Sequence, residues 1–268
     1  MMRSIVWIPL VLITLFVCGV LAALLFHVSF AEIWQALNSR ETQFAVRMSL
    51  MTSSAALLIS FVLGVPSGYV LARNTFPGRA ILDTLLDLPL VMTPLVAGIG
   101  LLFLFGQDWL GGSLLRLGIK VVFTPIGAIV AQTFICIPIV IRSSRAAFEG
   151  VNRRFELAGQ TLGLNSVTIF FCISLPLAWQ GIVTGAILAW ARAMGEFGAT
   201  LMVAGATRFK TATLPVSVYL NIGSGELGPA LACAWILLSF GFVLLLAVKL
   251  LSRNSGAGAA FSGGAQLP

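Results

Sequence analysis

Apolar positions in this chain fall into long runs that are separated by short polar segments. A helix needs about 20 consecutive apolar residues to cross a hydrocarbon core roughly 30 Å thick. The runs predict six spans, near residues 5–26, 48–71, 84–105, 125–141, 177–203 and 229–250. The expected fold is an all-α integral membrane protein with six transmembrane helices.

The composition favours a membrane protein over a soluble one. Of the 268 residues, 59% are hydrophobic and 9% are charged, whereas about a quarter of the residues of a soluble domain are charged. The net charge of +7 lies mainly in the connections between apolar runs. It therefore predicts contact with membrane lipid and no nucleic-acid partner. One histidine and four widely separated cysteines predict no metal site.

The two ends of the chain differ from its centre. The first run is too long for the apolar region of a signal peptide, so residues 1–44 are interpreted as an N-terminal anchor helix and an outer loop. Residues 45–251 form the predicted core, and the Gly-, Ala- and Ser-rich residues 252–268 are predicted to be disordered. The excess of Lys and Arg on alternate connections predicts cytoplasmic N and C termini in the cell (inner) membrane.

The connection at 142–176 has a helical pattern instead of a linker composition. Apolar residues recur there every three or four positions, at Phe148, Val151, Phe155, Ala158 and Leu162. This spacing predicts one amphipathic helix, with an ion pair between Glu149 and Arg153 on its polar face. Such a helix can lie on the membrane surface, cover the ends of the spans, or insert into a partner protein.

Part of this connection carries a recognisable motif. Residues 156–163, Glu-Leu-Ala-Gly-Gln-Thr-Leu-Gly, followed by Ile-Ser-Leu-Pro at 173–176, resemble the EAA loop of binding-protein-dependent ABC importer permeases. Compared with that motif, the acid lies one place upstream, at Glu156, and the second Ala is Gly159. The resemblance implies that a partner ATPase is coupled through Glu156, Leu157, Ala158, Gly159, Gly163, Ile173, Leu175 and Pro176.

A second motif lies in the fifth predicted span. Residues 192–200, Arg-Ala-Met-Gly-Glu-Phe-Gly-Ala-Thr, resemble the permeases for molybdate and related oxyanions, and sulfate permeases share part of the pattern. Arg192 and Glu196 are one turn apart inside the span. They form either a structural ion pair or a pair in which Arg192 gives positive potential to an anion pathway. The candidate pathway or gate residues are Arg192, Glu196, Gly198 and Thr200.

Small residues recur along the same predicted helix. Gly181, Gly185, Ala189 and Ala193 are four residues apart, with Thr200 close to their stripe. Such a stripe lets another helix approach closely. It predicts either packing within one subunit or a seam between two copies of the chain.

Two carboxylates and two prolines lie near the third predicted span. Asp83 and Asp87 are one turn apart, and pairing with nearby arginines is favoured over a proton relay. Pro89 and Pro94 predict a break or kink in this span.

The resemblances imply a type I ABC importer permease that is not itself an enzyme. They imply a homodimer, two cytoplasmic ATP-binding subunits and an extracytoplasmic solute-binding protein. The chain has no phosphate-binding G-x-x-x-x-G-K-[ST] motif, so no cofactor is expected on it, and ATP and Mg belong to the partner ATPase.

The implied mechanism is alternating access, and the implied substrate is molybdate or tungstate. Sulfate or thiosulfate transport is the alternative within the family, and a secondary anion transporter or channel is the alternative class. Arg208 and Lys210 lie in the predicted outer loop, with no acid before Glu226. This loop is expected to offer positive potential to an anion.

Overall fold

In the computed structural model, residues 2–26 and 30–259 are described, and their regular elements are all helical. In chain order the helices are α1 (Met2–Phe26), α2 (Phe30–Asn38), α3 (Arg40–Arg73), α4 (Arg79–Val91), α5 (Pro94–Leu104), α6 (Leu110–Arg116), α7 (Pro125–Glu149), α8 (Arg153–Thr161), α9 (Ser166–Ile169), α10 (Leu175–Met194), α11 (Gly198–Ala204), α12 (Leu214–Gly223) and α13 (Leu227–Ala259). A π-helical turn, Phe170–Ser174, joins α9 to α10.

Five stretches of helix among the described residues are long and apolar enough to cross a membrane. They are Trp7–Leu24 in α1, all of α3, all of α7, the run Ser166–Met194, and Leu227–Leu251 in α13. The pair α4 and α5 adds a sixth if it is counted as one bent span. The all-α membrane class is confirmed, and the third predicted span is the bent one.

The third predicted span, 84–105, is not a continuous helix. Helix α4 ends at Val91, α5 begins at Pro94, and the two are bent by 112°. Proline has no backbone N–H and is favoured in the first turn of a helix, so Pro94 begins α5. The predicted break is therefore confirmed at Pro94, whereas Pro89 lies within α4 without ending it.

The fifth predicted span, 177–203, has the wrong bounds. Its helical run begins earlier, at Ser166, where the Asn165 side chain accepts a hydrogen bond from the Thr168 N–H. The run ends at Met194, and α11 is a separate helix that begins at Gly198. The motif at 192–200 therefore extends across a break between two helices.

The centre of the bundle is formed by α3, α7 and α10. Helix α3 starts before the predicted 48–71 span, because Ser39 Oγ accepts a hydrogen bond from the Thr42 N–H and caps it. It lies close to α7 at Gly68, where an added Cβ would be 2.8 Å from the Ser144 Cβ. Buried apolar side chains fill the contact between the three helices, including Val65, Val140, Phe148, Ile182 and Ala193.

Two predicted domain boundaries lie within helices of the structure. The boundary between residues 44 and 45 falls inside α3. Helix α13 continues to Ala259, beyond the predicted start of disorder at residue 252, because extending an existing helix costs far less than nucleating one. The rest of the predicted tail, 260–268, lies outside the described residues.

Candidate functional site

The connection after α7 forms a separate short helix. Helix α7 ends at Glu149, and α8 begins after Asn152, whose side-chain oxygen accepts a hydrogen bond from the backbone N–H two residues later. The prediction of one amphipathic helix across this region is therefore wrong. Glu149 pairs with Arg145 at 2.8 Å and not with Arg153. Gly150 and the Asn152 cap favour ending one helix and starting another.

Glu156 points into the protein, where its carboxylate is buried. Its Oε1 accepts hydrogen bonds from Arg73 Nε at 2.9 Å and from Ser174 Oγ at 2.7 Å. Arg73 Nη2 also donates to the Val151 carbonyl at 3.1 Å. The carboxylate therefore joins α8 to the end of α3 and to the π-helical turn.

Two glycines give α8 its position and its end. An added Cβ at Gly159 would lie 2.8 Å from Ile173 Cδ1, so glycine allows α8 to approach the π-helical turn. Gly163 has φ +81°, and its N–H donates to the Gln160 carbonyl while the Leu164 N–H donates to the Gly159 carbonyl. This is the Schellman arrangement that ends many helices. Gly163 therefore lies at a sharp turn of the backbone.

The predicted coupling residues divide into an inner and an outer group. Glu156 and Gly159 are buried and Ile173 is half-buried beside Gly159, while Leu157, Ala158 and Pro176 are exposed. Leu175 is the first residue of α10.

The outer face of this region carries exposed apolar side chains. Four exposed side chains, here called the α8 surface, are Phe155, Leu157, Leu162 and Val167. Phe155 and Leu162 belong to the predicted apolar face, and their exposure is compatible with the alternative in which this face inserts into a partner protein.

Arg73 and Ser174 were missed as parts of this site. Arg73 is the last residue of α3, 83 positions before Glu156, and Ser174 is 18 positions after it. A single sequence contains no signal that connects residues so far apart.

Arg192 and Glu196 form an ion pair at the break between α10 and α11. Arg192 Nη1 lies 2.7 Å from Glu196 Oε2, and Glu196 Oε1 accepts a hydrogen bond from the Ala199 N–H at 3.0 Å. The Glu196 side chain is 1% exposed, whereas that of Arg192 is 40% exposed. The buried carboxylate therefore starts α11 and neutralises an arginine that is partly exposed.

Helix α11 packs closely against α5 next to this pair. An added Cβ at Gly198 would lie 3.0 Å from the Pro94 Cβ, and one at Gly98 would lie 2.7 Å from the Met202 Cβ. Thr200 is fully buried, and its hydroxyl has no hydrogen-bond partner within the described part of the chain. The four predicted pathway residues thus lie in the last turn of α10, in the break after it and in the first turn of α11.

The stripe of small residues packs within the chain. An added Cβ at Gly181 would lie 2.7 Å from the Ala147 Cβ, and one at Gly185 would overlap Ser143. These contacts bring α10 against α7, which is the packing alternative. Thr200 does not continue the stripe, because it belongs to α11.

The carboxylates near the third span are paired with arginines, as predicted. Asp83 Oδ2 lies 3.0 Å from Arg145 Nη1 and 3.7 Å from Arg79 Nε, and Asp87 Oδ1 lies 3.6 Å from Arg142 Nε. Helix α4 has no buried residue, so these ion pairs are its main polar connection to α7.

Arg208 is not the unpaired cation that the sequence predicted. Its Nη1 lies 3.1 Å from Glu41 Oε2, and its Nη2 donates to Asn221 and Ser224. Glu41 belongs to α3 and is far from Arg208 in sequence, so counting charges along the loop could not find the pair. Lys210 is exposed.

Comparison with known proteins identifies close relatives among transport permeases. The chain is 40% identical over 215 residues to "Molybdenum transport system permease protein ModB" of Escherichia coli (strain K12), covering 79% of this chain and 93% of that protein. It is 33% identical over 232 residues to "Sulfate transport system permease protein CysW" of Synechocystis sp. (strain ATCC 27184 / PCC 6803 / Kazusa), covering 86% and 84% of the two chains.

The fold is also that of a solved transporter. The crystal structure of a bacterial ABC transporter that imports the polysaccharide alginate matches with a TM-score of 0.75 at 16% identity, covering 94% of this chain and 95% of the other. Residues 64–255 match the family described as "Binding-protein-dependent transport system inner membrane component". The chain therefore belongs to this family and is a multi-pass inner-membrane permease subunit of an ABC importer.

Proposed function

We propose that this permease carries a tetrahedral oxyanion, most specifically molybdate or tungstate. The observation that carries the proposal is the 40% identity to a molybdenum permease over 93% of its length. The 33% identity to a sulfate permease makes sulfate or thiosulfate the second candidate. All of these substrates are dianions with four outer atoms around a centre, so one pathway can suit their shape and charge.

The pathway is proposed to run past the break between α10 and α11. Arg192 is partly exposed beside its buried partner Glu196, so a passing dianion meets the guanidinium edge first. Neutralisation by Glu196 keeps this attraction weak enough for the anion to leave again. Gly198 and Thr200 lie near the start of α11, which packs closely against α5, and this contact is proposed to act as the gate.

The working assembly is proposed to contain two copies of this chain, two ATP-binding subunits and a solute-binding protein. The α8 surface supports this arrangement, because exposed apolar side chains on a short helix suit insertion into a groove of a partner protein. ATP and Mg are bound by the ATPase subunits, and this chain binds no cofactor. ATP binding moves α8, and the gate between α5 and α11 opens and closes in response.

The end of the bundle that carries α8 is proposed to face the cytoplasm, with both termini on that side. Three arginines that pair with acids near α8, Arg73, Arg142 and Arg145, agree with the excess of positive charge on cytoplasmic segments. Trp235 Nε1 donates to the Leu24 carbonyl, and Gln180 Nε2 donates to the Leu251 carbonyl. The first bond joins the end of α1 to the first half of α13, and the second joins the end of α13 to the start of α10. The two bonds therefore support a common side of the membrane for the start of α1 and the end of α13.

ATP hydrolysis by the reconstituted complex tests the choice of substrate. The permease, its cognate ATPase and its cognate binding protein are placed in liposomes, and each anion is added at the same micromolar concentration. Molybdate or tungstate should stimulate hydrolysis, and sulfate should have little effect. Stimulation by sulfate alone would reverse the substrate assignment, and stimulation by sugars or amino acids would contradict the oxyanion proposal.

A further inference from the structure

The carboxylate of Glu156 is closed off from the outer face of α8. The Glu156 side chain is 7% exposed and that of Arg73 is 10% exposed. Phe155 and Leu157, on either side of Glu156 in sequence, are exposed. A protein that docks on the α8 surface would therefore contact these apolar side chains and not the buried carboxylate.

The ion pair joins three segments at one oxygen atom. Glu156 Oε1 accepts from Arg73 on α3 and from Ser174 in the π-helical turn. Arg73 also donates to the Val151 carbonyl, in the turn before α8. Breaking this pair would leave a buried carboxylate and a buried guanidinium without their main partners, which is costly. The network therefore holds α8 at a fixed position relative to α3.

Helix α3 reaches from this network to the opposite end of the bundle. Its 34 residues correspond to a length of about 51 Å at 1.5 Å per residue. Near its other end, Glu41 pairs with Arg208 in the segment after α11. Close packing of Gly64 and Gly68 against α7 joins α3 to a second helix at the centre of the bundle.

We propose that Glu156 is a positioning residue that transmits movement of α8 to α3, and that it is not a ligand of the ATPase. This inference rests on the proposed function, in which α8 receives the ATPase. Docking depends on the apolar α8 surface, whereas coupling of hydrolysis to transport depends on the buried bond between Glu156 and Arg73. The two roles are therefore separable by substitution.

The test compares Glu156→Gln with Glu149→Gln and Phe155→Ser. Glu149 is a matched control, because it is an acid of the same connection that pairs with Arg145, but its side chain is 47% exposed. Phe155→Ser is the comparison for docking. Each permease is reconstituted with the cognate ATPase and binding protein. Two quantities are measured on folded complexes: the amount of ATPase that co-purifies, and the number of molybdate ions transported per ATP hydrolysed.

Glu156→Gln should retain the ATPase but lower transport per ATP by about fivefold or more, the lower end of typical coupling effects. Phe155→Ser should lose the ATPase, and Glu149→Gln should change neither quantity. Ser174→Ala removes one bond to the carboxylate and keeps the ion pair, so it should fold and give an intermediate loss of coupling. A general structural defect would reduce the yield of folded complex and leave the ratio in the surviving complexes unchanged.

Two results would overturn the inference. The first is loss of the ATPase from Glu156→Gln to the same extent as from Phe155→Ser, which would make Glu156 an ATPase ligand. The second is a native transport ratio in both Glu156→Gln and Ser174→Ala. Failure of the unmodified complex to bind an ATPase or transport any anion would instead contradict the proposed function, so the two failures are distinguishable.

Discussion

Exchanging Arg192 for methionine would remove the ion-pair partner of a carboxylate that is almost completely buried. Glu196 would keep only the hydrogen bond from the Ala199 N–H, at 3.0 Å. The opposite change, Glu196→Gln, retains an oxygen that can accept this bond. It leaves behind Arg192, whose side chain is 40% exposed and therefore partly solvated. The two single substitutions should have unequal effects on the free energy of unfolding.

The burial of each partner sets the expected magnitudes. Removing one member of a fully buried ion pair costs about 3–5 kcal/mol. Because Arg192 is partly exposed, we expect Arg192→Met to lower the free energy of unfolding by about 2 kcal/mol. Glu196→Gln should lower it by about 1 kcal/mol, the usual net value of one hydrogen bond or weak ion pair. The double variant should lose less than the sum, by at least about 0.5 kcal/mol.

Denaturant titration of the purified permease in detergent, followed by circular dichroism, measures these free energies. Arg116→Met, at an exposed position on α6, is the control and should change the free energy by less than about 0.5 kcal/mol. Strictly additive losses in the double variant would refute the reasoning that the two side chains stabilise each other. A double variant that folds but transports no anion would support the pathway role of Arg192.

Two further substitutions test the turn after α8 and the contact between α5 and α11. Gly163 has φ +81°, so Gly163→Val should lower the free energy of unfolding by about 1–2 kcal/mol and reduce the amount of ATPase that co-purifies. Gly163→Asn should have a smaller effect. Equal co-purification of the ATPase with the unchanged permease and both variants would contradict this prediction. Gly98→Ala would place a Cβ 2.7 Å from the Met202 Cβ and should lower stability by about 1–3 kcal/mol. Gly100→Ala is the control and should not lower stability, because an added Cβ there has no atom within 4 Å. Equal melting temperatures of the Gly98→Ala and Gly100→Ala variants would contradict the close contact.

The pattern of apolar runs was sufficient to predict the fold class and most of the spans. Length and hydrophobicity are local properties, and a membrane requires both of them. The breaks within the third and fifth spans were less accessible. Pro94 gave a local signal for the first break, but the second depends on the Glu196 carboxylate reaching the Ala199 N–H. Hydrophobicity alone predicts one continuous span across that position.

The coupling connection shows the limit of periodicity. The spacing of apolar residues around Phe155 fits one helix, but α7 ends at Glu149 and the Asn152 cap starts a new helix. As a result Phe155 is exposed and Glu156 is buried. Two glycines of the motif do have positions that require glycine, because Gly159 approaches Ile173 closely and Gly163 has a positive φ.

Long-range ion pairs were the least predictable part of the site. Glu156 pairs with Arg73, and Arg208 pairs with Glu41. In both cases the partner is on α3, and only the packing of α3 against the rest of the bundle brings the charges together. A sequence of one protein records the charges but not these distances.

ATP-driven accumulation of anion is the central claim for this permease. The measurement is uptake of radiolabelled molybdate into proteoliposomes that contain the permease, its ATPase and the external binding protein. We predict accumulation only when ATP and the loaded binding protein are both present, with loss of uptake when the ATPase is omitted. Uptake that proceeds equally without ATP, or that follows a proton gradient alone, would contradict the account and favour a secondary transporter or channel.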